Sequence, residues 1–294
     1  MLSTLIDRLT PDLAPPALPE PIRALTVLIS LSSFGAAEVR RHGQLWFSQL
    51  SFDAGADGVE VRSELIVDEL HELAAIRQLA CEEQKALVYS CALPLWDPIG
   101  ELDSNALNRA IQATLTLGAT RLKMSIGGFK PSSRSTLDTV HAMLKGLPFD
   151  VVIENDHTVA AGSLPALQHF FVASRASPFK PGMTFDVGNW HWAGECPLLA
   201  AQSLSCYVAY IHCKGVQRLP RQWVAVPLSD SSAPWRAVLR ALPQGTPWAI
   251  EYPLIGDDLL QVTRDEIAQL RHIAATLHGP APVALTLPEI THHA

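Results

Sequence analysis

The chain has 294 residues, a formal net charge of −7, and 22 Lys plus Arg against 29 Asp plus Glu. That length suffices for one large α/β barrel or for two ordinary domains with their own cores. The balance is mildly acidic and no run of positive residues occurs, which excludes the basic stripe that a nucleic-acid partner demands. The five cysteines, Cys81, Cys91, Cys196, Cys206 and Cys213, are odd in number and lack C-x-x-C spacing. They argue for reduced thiols in a cytoplasmic protein, against a disulfide framework or a structural zinc site. The amino terminus lacks the apolar segment of a signal peptide, and no uncharged apolar stretch reaches the roughly 18 residues of a membrane-spanning helix.

In chain order, the proline-rich residues 1–22 are expected to form a leader outside the core, residues 23–278 a single domain, and residues 279–294 a tail serving as a surface arm or oligomer contact. Within the domain, apolar runs of strand composition alternate with segments of helical spacing. Leu25 to Leu31 predicts a strand and Glu38 to Phe52 an amphipathic helix closed by Gly55. Gly58 to Arg62 is the second strand, followed by a helix over Val67 to Cys81. Ala86 to Ala92 is the third strand with a helix over Ala106 to Leu117; Arg121 to Ile126 is the fourth, with a helix over Ser135 to Leu144.

Four further strands end at Glu154, Asp186, His212 and Glu251, separated by helical spacers and followed by an amphipathic segment from Asp257 to Leu277. Eight strands alternating with helices imply parallel pairing through right-handed crossovers and point to a closed (β/α)8 TIM barrel. An open doubly wound sheet is the competing fold, but no G-x-G-x-x-G follows a strand.

The last four strands carry the chemistry. Val151-Val152-Ile153-Glu154, Met183-Thr184-Phe185-Asp186, Tyr210-Ile211-His212 and Trp248-Ala249-Ile250-Glu251 each run apolar into one residue able to bind a metal. In a barrel of parallel strands those ends share one mouth, where active sites of this fold sit. Three carboxylates and one imidazole suit a single divalent cation, Mn²⁺ first, with Mg²⁺, Co²⁺ or Zn²⁺ as alternatives. A carboxylate at a strand end also serves as a helix cap or half of a salt bridge, so the weight lies on the set of four.

These residues carry a resemblance. Gly-Ala-Asp-Gly-Val-Glu-Val-Arg (55–62), Ile-Glu-Asn (153–155), Phe-Asp-Val-Gly-Asn (185–189), His-Cys-Lys (212–214) and Ile-Glu-Tyr-Pro-Leu (250–254) are similar, in order and interval, to motifs of the xylose-isomerase-like barrel superfamily. The branch is that of the sugar phosphate isomerases and epimerases, which includes the ketose 3-epimerases, and the resemblance covers roughly residues 24 to 277. It implies that Glu154, Asp186, His212 and Glu251 bind the metal and that Glu154 and Glu251 also move the substrate proton. Removing a proton next to a carbonyl requires a positioned carboxylate and a Lewis acid to hold the enolate charge, which fits that assignment.

The expected activity is therefore isomerisation or epimerisation of a small sugar or keto acid. Metal-assisted dehydration of inosose or dehydroshikimate type, or a catalytically silent sugar-binding barrel, are the alternatives. Alternation along strands puts Lys214 beside His212 and leaves Cys213 outward. Lys214, Lys123 and Glu60 are candidate substrate contacts, each with a salt bridge as the competing role. Arg218 lies six residues past His212, where the ketose 3-epimerases carry a substrate-binding arginine. Trp96 and Trp190 could wall a sugar face or simply pack in their loops, and His157 could reach the mouth or face solvent. Asn189 stands where those epimerases commonly have a substrate-binding histidine, and Ala160 near where they have a second acid.

Overall fold

The structure is a computed structural model and describes residues 25–277. The expected leader and the expected tail both lie outside the described residues. Ten strands follow in chain order: β1 (Val27–Ser30), β2 (Gly58–Arg62), β3 (Ala86–Ser90), β4 (Arg121–Ser125), β5 (Asp150–Glu154), β6 (Gly182–Asp186), β7 (Val208–Cys213), β8 (Gly215–Arg218), β9 (Trp223–Val226) and β10 (Trp248–Ile250). Eight of them close a barrel in the order β1-β10-β7-β6-β5-β4-β3-β2, every pair parallel. This is the expected (β/α)8 TIM barrel.

Local chemistry fixes the helices between the strands. In the helix Ser104–Leu117, the Asp103 carboxylate accepts from the Ala106 N–H at 2.8 Å, capping the first turn, and Gly118 ends it in the left-handed region at φ 68°. The expected single helix from Glu38 to Phe52 is instead two, Ala36–His42 and Gln44–Asp53. Gly43, at φ 83°, turns the chain between them, a conformation that a side chain would strain. The spacer after β7 also departs from expectation. Before its short helix, Trp235–Arg240, comes an antiparallel hairpin of β8 and β9.

Alternation along each strand divides the barrel. One set of side chains faces the helices: Ile29, Val59, Tyr89, Leu122, Ile153, Phe185 and Ile211 are buried in the large core there. The other set points inward. Leu28, Val88, Tyr210 and Ala249 form a small apolar plug. The inward positions nearer the carboxyl ends are polar, and they carry Glu60, Lys123, Asp186 and His212, all buried. No helix among the described residues is long and apolar enough to cross a membrane.

Trp96 belongs to the outer packing. It is fully buried, its ring stands edge-on to Phe129 at 4.8 Å, and its indole N–H donates to Thr136 Oγ1 at 2.9 Å. Trp190 is likewise fully buried, tilted against Phe185. Neither offers a ring face to a substrate. Trp96→Ala should therefore lower stability by about 3–5 kcal/mol, the range for emptying an aromatic core site. The urea midpoint of the purified variant measures this, and an unchanged midpoint would contradict the placement.

Candidate metal centre

Glu154, Asp186, His212 and Glu251 converge at the barrel mouth, each with one ligand atom within 4.8 Å of the other three. His212 shows how they are arranged. Its Nδ1 faces Glu251 Oε2 at 2.9 Å, Glu154 Oε1 at 3.0 Å and Asp186 Oδ2 at 3.9 Å. Its Nε2 points the other way and donates to Glu60 Oε2 at 2.9 Å.

The remaining atom of each carboxylate is fastened in the same manner. Glu154 Oε2 pairs with Lys123 Nζ at 2.9 Å, and Lys123 also pairs with Glu60 Oε1 at 2.9 Å. Asp186 Oδ1 accepts the backbone N–H groups of Gly188 and Asn189, both at 2.8 Å. Glu251 Oε1 accepts from Arg62 Nη1 at 2.6 Å. Every ligand side chain thus has one anchored atom and one atom turned to a common centre.

Two observations fit this centre to a divalent ion. Glu154 Oε1 and Asp186 Oδ2 are buried and make no well-aligned hydrogen bond; each meets only one cationic side chain at close range, His212 Nδ1 at 3.0 Å and Lys214 Nζ at 2.8 Å, which leaves room at both oxygens for an ion. The donor set of three carboxylate oxygens and one imidazole nitrogen matches a hard or borderline divalent cation, with His212 Nε2 anchored on Glu60 so that Nδ1 is the nitrogen that would turn to the ion once its proton leaves. Bound there, the ion would have Glu154, Asp186, His212 and Glu251 as its protein ligands.

The charges explain the titration behaviour without an ion. Burial opposes ionisation of Glu154 and Glu251, but Lys123 and His212 for the first, and Lys214 and His212 for the second, outweigh it and hold both below the usual range. Burial likewise opposes a charge on His212, and the carboxylates led by Glu60 overcome it, so the imidazole stays protonated well above its ordinary range. Asp186 behaves differently. Burial and the neighbouring Glu251 raise it to about 7 despite Lys214.

A cavity of about 330 Å³ opens over the centre, lined by Arg62, Ser90, Ser125, Glu154, His157, Asn189, Lys214 and Glu251 among others. Of the expected substrate contacts, Asn189, Lys214 and His157 line it. Glu60 and Lys123 do not. Both are buried beneath the ligands and serve them rather than the cavity. Arg218 lies at the exposed end of β8, its guanidinium over the Trp223 ring at 5.1 Å, and does not line the cavity.

Sequence reasoning passed over two residues. Arg62, two past Glu60 on β2, faces the same way and reaches Glu251. Asn155 grips the Asp186 backbone, donating to its carbonyl at 3.0 Å and accepting from its N–H at 2.9 Å. Alternation along β2 was signal enough for Arg62. For Asn155, only its place after Glu154 hinted at a role.

No family model matches the chain, and no curated protein matches it by sequence. Solved structures do. The chain is similar to a xylose isomerase domain containing protein from Salmonella typhimurium, with 14% identity over 85% of this chain and 97% of that one, at a TM-score of 0.63. It is similar to D-allulose 3-epimerase from Methylomonas sp., solved with D-allulose, at 13% identity, 85% and 97% coverage and a TM-score of 0.61. The probable 3-DHS dehydratase of Bacillus anthracis follows at 12% identity, 84% and 98% coverage and a TM-score of 0.60. The chain has the TIM-barrel fold, and these barrels, a xylose isomerase domain containing protein among them, share it. At these identities the likeness establishes the fold and leaves the reaction to the site.

Two outcomes test the centre. Metal must displace the proton on His212 Nδ1 and, below about pH 7, the one on Asp186. Mn²⁺ binding should then release about one proton at pH 8 and more at pH 6, with affinity falling as pH drops through 7. Calorimetry in buffers of different ionisation enthalpy measures both, and binding without proton release would contradict the arrangement. Glu60→Gln should weaken Mn²⁺ binding about 10- to 100-fold by loosening His212, although Glu60 is not itself one of the four ligands. Titration followed by electron paramagnetic resonance checks this.

Proposed function

We propose that this chain is a divalent-metal-dependent isomerase or epimerase acting on a small polyhydroxy carbonyl compound. The observation that carries the reading is the convergence of four ligand atoms within 4.8 Å at the carboxyl end of the barrel, below a cavity large enough for a small substrate. A bound divalent ion would supply a Lewis acid for the substrate carbonyl and for the charge that develops when the neighbouring C–H proton leaves; Mn²⁺ is the expected ion.

The protein groups supply the rest. Glu154 on β5 and Glu251 after β10 approach the centre from strands separated by β6 and β7, so they flank the cavity from two sides. Both are held ionised, Glu154 chiefly by Lys123 and Glu251 chiefly by Lys214, and each can accept a proton from carbon. Lys123 and Arg62 hold the outer oxygens, which keeps the carboxylates from turning away. A proton taken by one glutamate and returned by the other to the opposite face inverts the carbon. A proton returned to the adjacent carbon interconverts aldose and ketose. The likeness to an epimerase solved with D-allulose supports a sugar-like substrate.

The likeness to a probable dehydratase favours one second reading, in which the same proton abstraction is followed by loss of a β-hydroxyl. A product lighter by one water distinguishes it.

Incubation of the Mn²⁺-loaded protein in D₂O with a panel of ketoses and keto acids should place deuterium on the carbon beside the carbonyl of at least one of them. Glu251→Gln should lower that exchange by about 100-fold or more. Full exchange by the metal-depleted protein or by the Gln variant sinks the proposal.

A further inference from the structure

Lys214 sits where two of the centre's atoms meet. Its Nζ is 2.8 Å from Asp186 Oδ2 and 2.8 Å from Glu251 Oε2, and it donates to Asn189 Oδ1 at 3.1 Å. The position is built into the fold. A Cβ at residue 188 would come within 2.9 Å of both Cγ and Cδ of Lys214, so Gly188 makes room for the stem while Asn189 supplies an acceptor to the head. The Asp-Val-Gly-Asn segment therefore serves the ion site with Asp186 and the lysine with its last two residues.

The role of Lys214 rests on the reading that a divalent ion binds among the four ligands. Asp186 Oδ2 and Glu251 Oε2 are atoms that such an ion would share, and the ion would draw off most of the negative charge they offer Lys214. Lys214 then keeps Asn189 as its one acceptor that the ion does not share, next to a second cation, while still lining the cavity. A buried ammonium in that state is strongly disfavoured unless an anion joins it. The other cation lining the cavity, Arg62, is already held by Glu64 through Nε at 2.9 Å and by Glu251. The missing acceptor has to come from the ligand that enters.

We propose that the substrate carries a carboxylate beside its carbonyl, and that Lys214, held by Gly188 and Asn189, selects it. The carboxylate must lie next to the reacting group because the ammonium stands against two ligand atoms of the centre. A single ammonium matches a carboxylate in charge, whereas a phosphate dianion calls for a second cation, and Arg62 is already held by Glu64 and Glu251. The substrate class is a polyhydroxy keto acid rather than a neutral ketose.

The test uses unreactive probes on the Mn²⁺-loaded protein: D-gluconate, D-sorbitol, which lacks only its carboxylate, and D-sorbitol 6-phosphate. Calorimetry should show gluconate binding about tenfold tighter than sorbitol, the scale of one charge-assisted hydrogen bond, and tighter than the phosphate. Lys214→Met should erase the preference while binding Mn²⁺ at least as tightly as before, which also shows that the variant folds. Asn189→Asp, which gives the ammonium an anion of its own, should weaken the preference and decides the matter if Lys214→Met does not fold. Equal affinity for acid and polyol, no binding of either, tighter binding of the phosphate, or a preference that survives both substitutions overturns the inference. A protein that exchanges deuterium into a substrate yet binds acid and polyol alike loses this inference alone.

Discussion

Three carboxylates with unfastened ends would not share one small space. At about 4 Å and an effective dielectric of about 20, each like-charge pair costs on the order of 4 kcal/mol, so side chains on flexible stems would swing apart. The fold prevents this by fastening one atom of each ligand. Lys123 takes Glu154 Oε2, Arg62 takes Glu251 Oε1, two backbone N–H groups take Asp186 Oδ1, and Glu60 takes His212 Nε2. The atoms left over point in one shared direction, where Lys214 and His212 meet them. The rest of the mouth depends on that constraint, because the positions that do the fastening cannot be used for anything else.

The fastening groups need support in turn, and the barrel provides it in layers. Glu60 and Lys123 lie beneath the ligands, bonded to each other and buried from solvent, so the floor of the site is a charge pair that also reaches Glu154 and His212. The apolar plug of Leu28, Val88, Tyr210 and Ala249 packs the barrel interior beside them. At the rim, the buried Gln44 holds the Arg62 backbone from both sides, accepting from its N–H at 2.7 Å and donating to its carbonyl at 3.0 Å. A helix outside the barrel thereby fixes a guanidinium inside the mouth. Positional precision at a reactive centre comes from such supporting contacts more than from the ligands themselves.

The sequence made the ligand set readable because each member follows an apolar run, and a strand of parallel pairing must end at the mouth. The strand count and the barrel followed from the same alternation. Other features were hidden for physical reasons. Nothing local distinguishes a tryptophan lining a cavity from one packed under a loop, and Trp96 and Trp190 are the second kind. The β8–β9 hairpin has strands of four residues each and only intermediate burial along β9, too short and too mixed to show a period. Glu60 and Lys123 were legible as inward-facing, but not as lying one layer too deep for a substrate. Depth depends on the stagger of strands, here Glu60 opposite Val88 and Lys123 opposite Val152, and stagger is a property of the closed barrel.

Asn189 shows how a departure from a resembling motif can be physically coherent. Read alone, it is a missing imidazole. In the structure its amide does two jobs, donating to the Asn155 carbonyl at 2.9 Å and accepting from Lys214 at 3.1 Å. An imidazole there could not do both from the same geometry, since its two nitrogens lie on one rigid ring, whereas an amide offers a donor and an acceptor side by side. Asn155, Asp186, Asn189 and Lys214 therefore form one connected unit, in which the strand that carries the aspartate is tied to the strands on either side. Changing the amide disturbs the lysine and the aspartate together, so the choice of residue at position 189 is a choice about what the whole rim presents to a ligand.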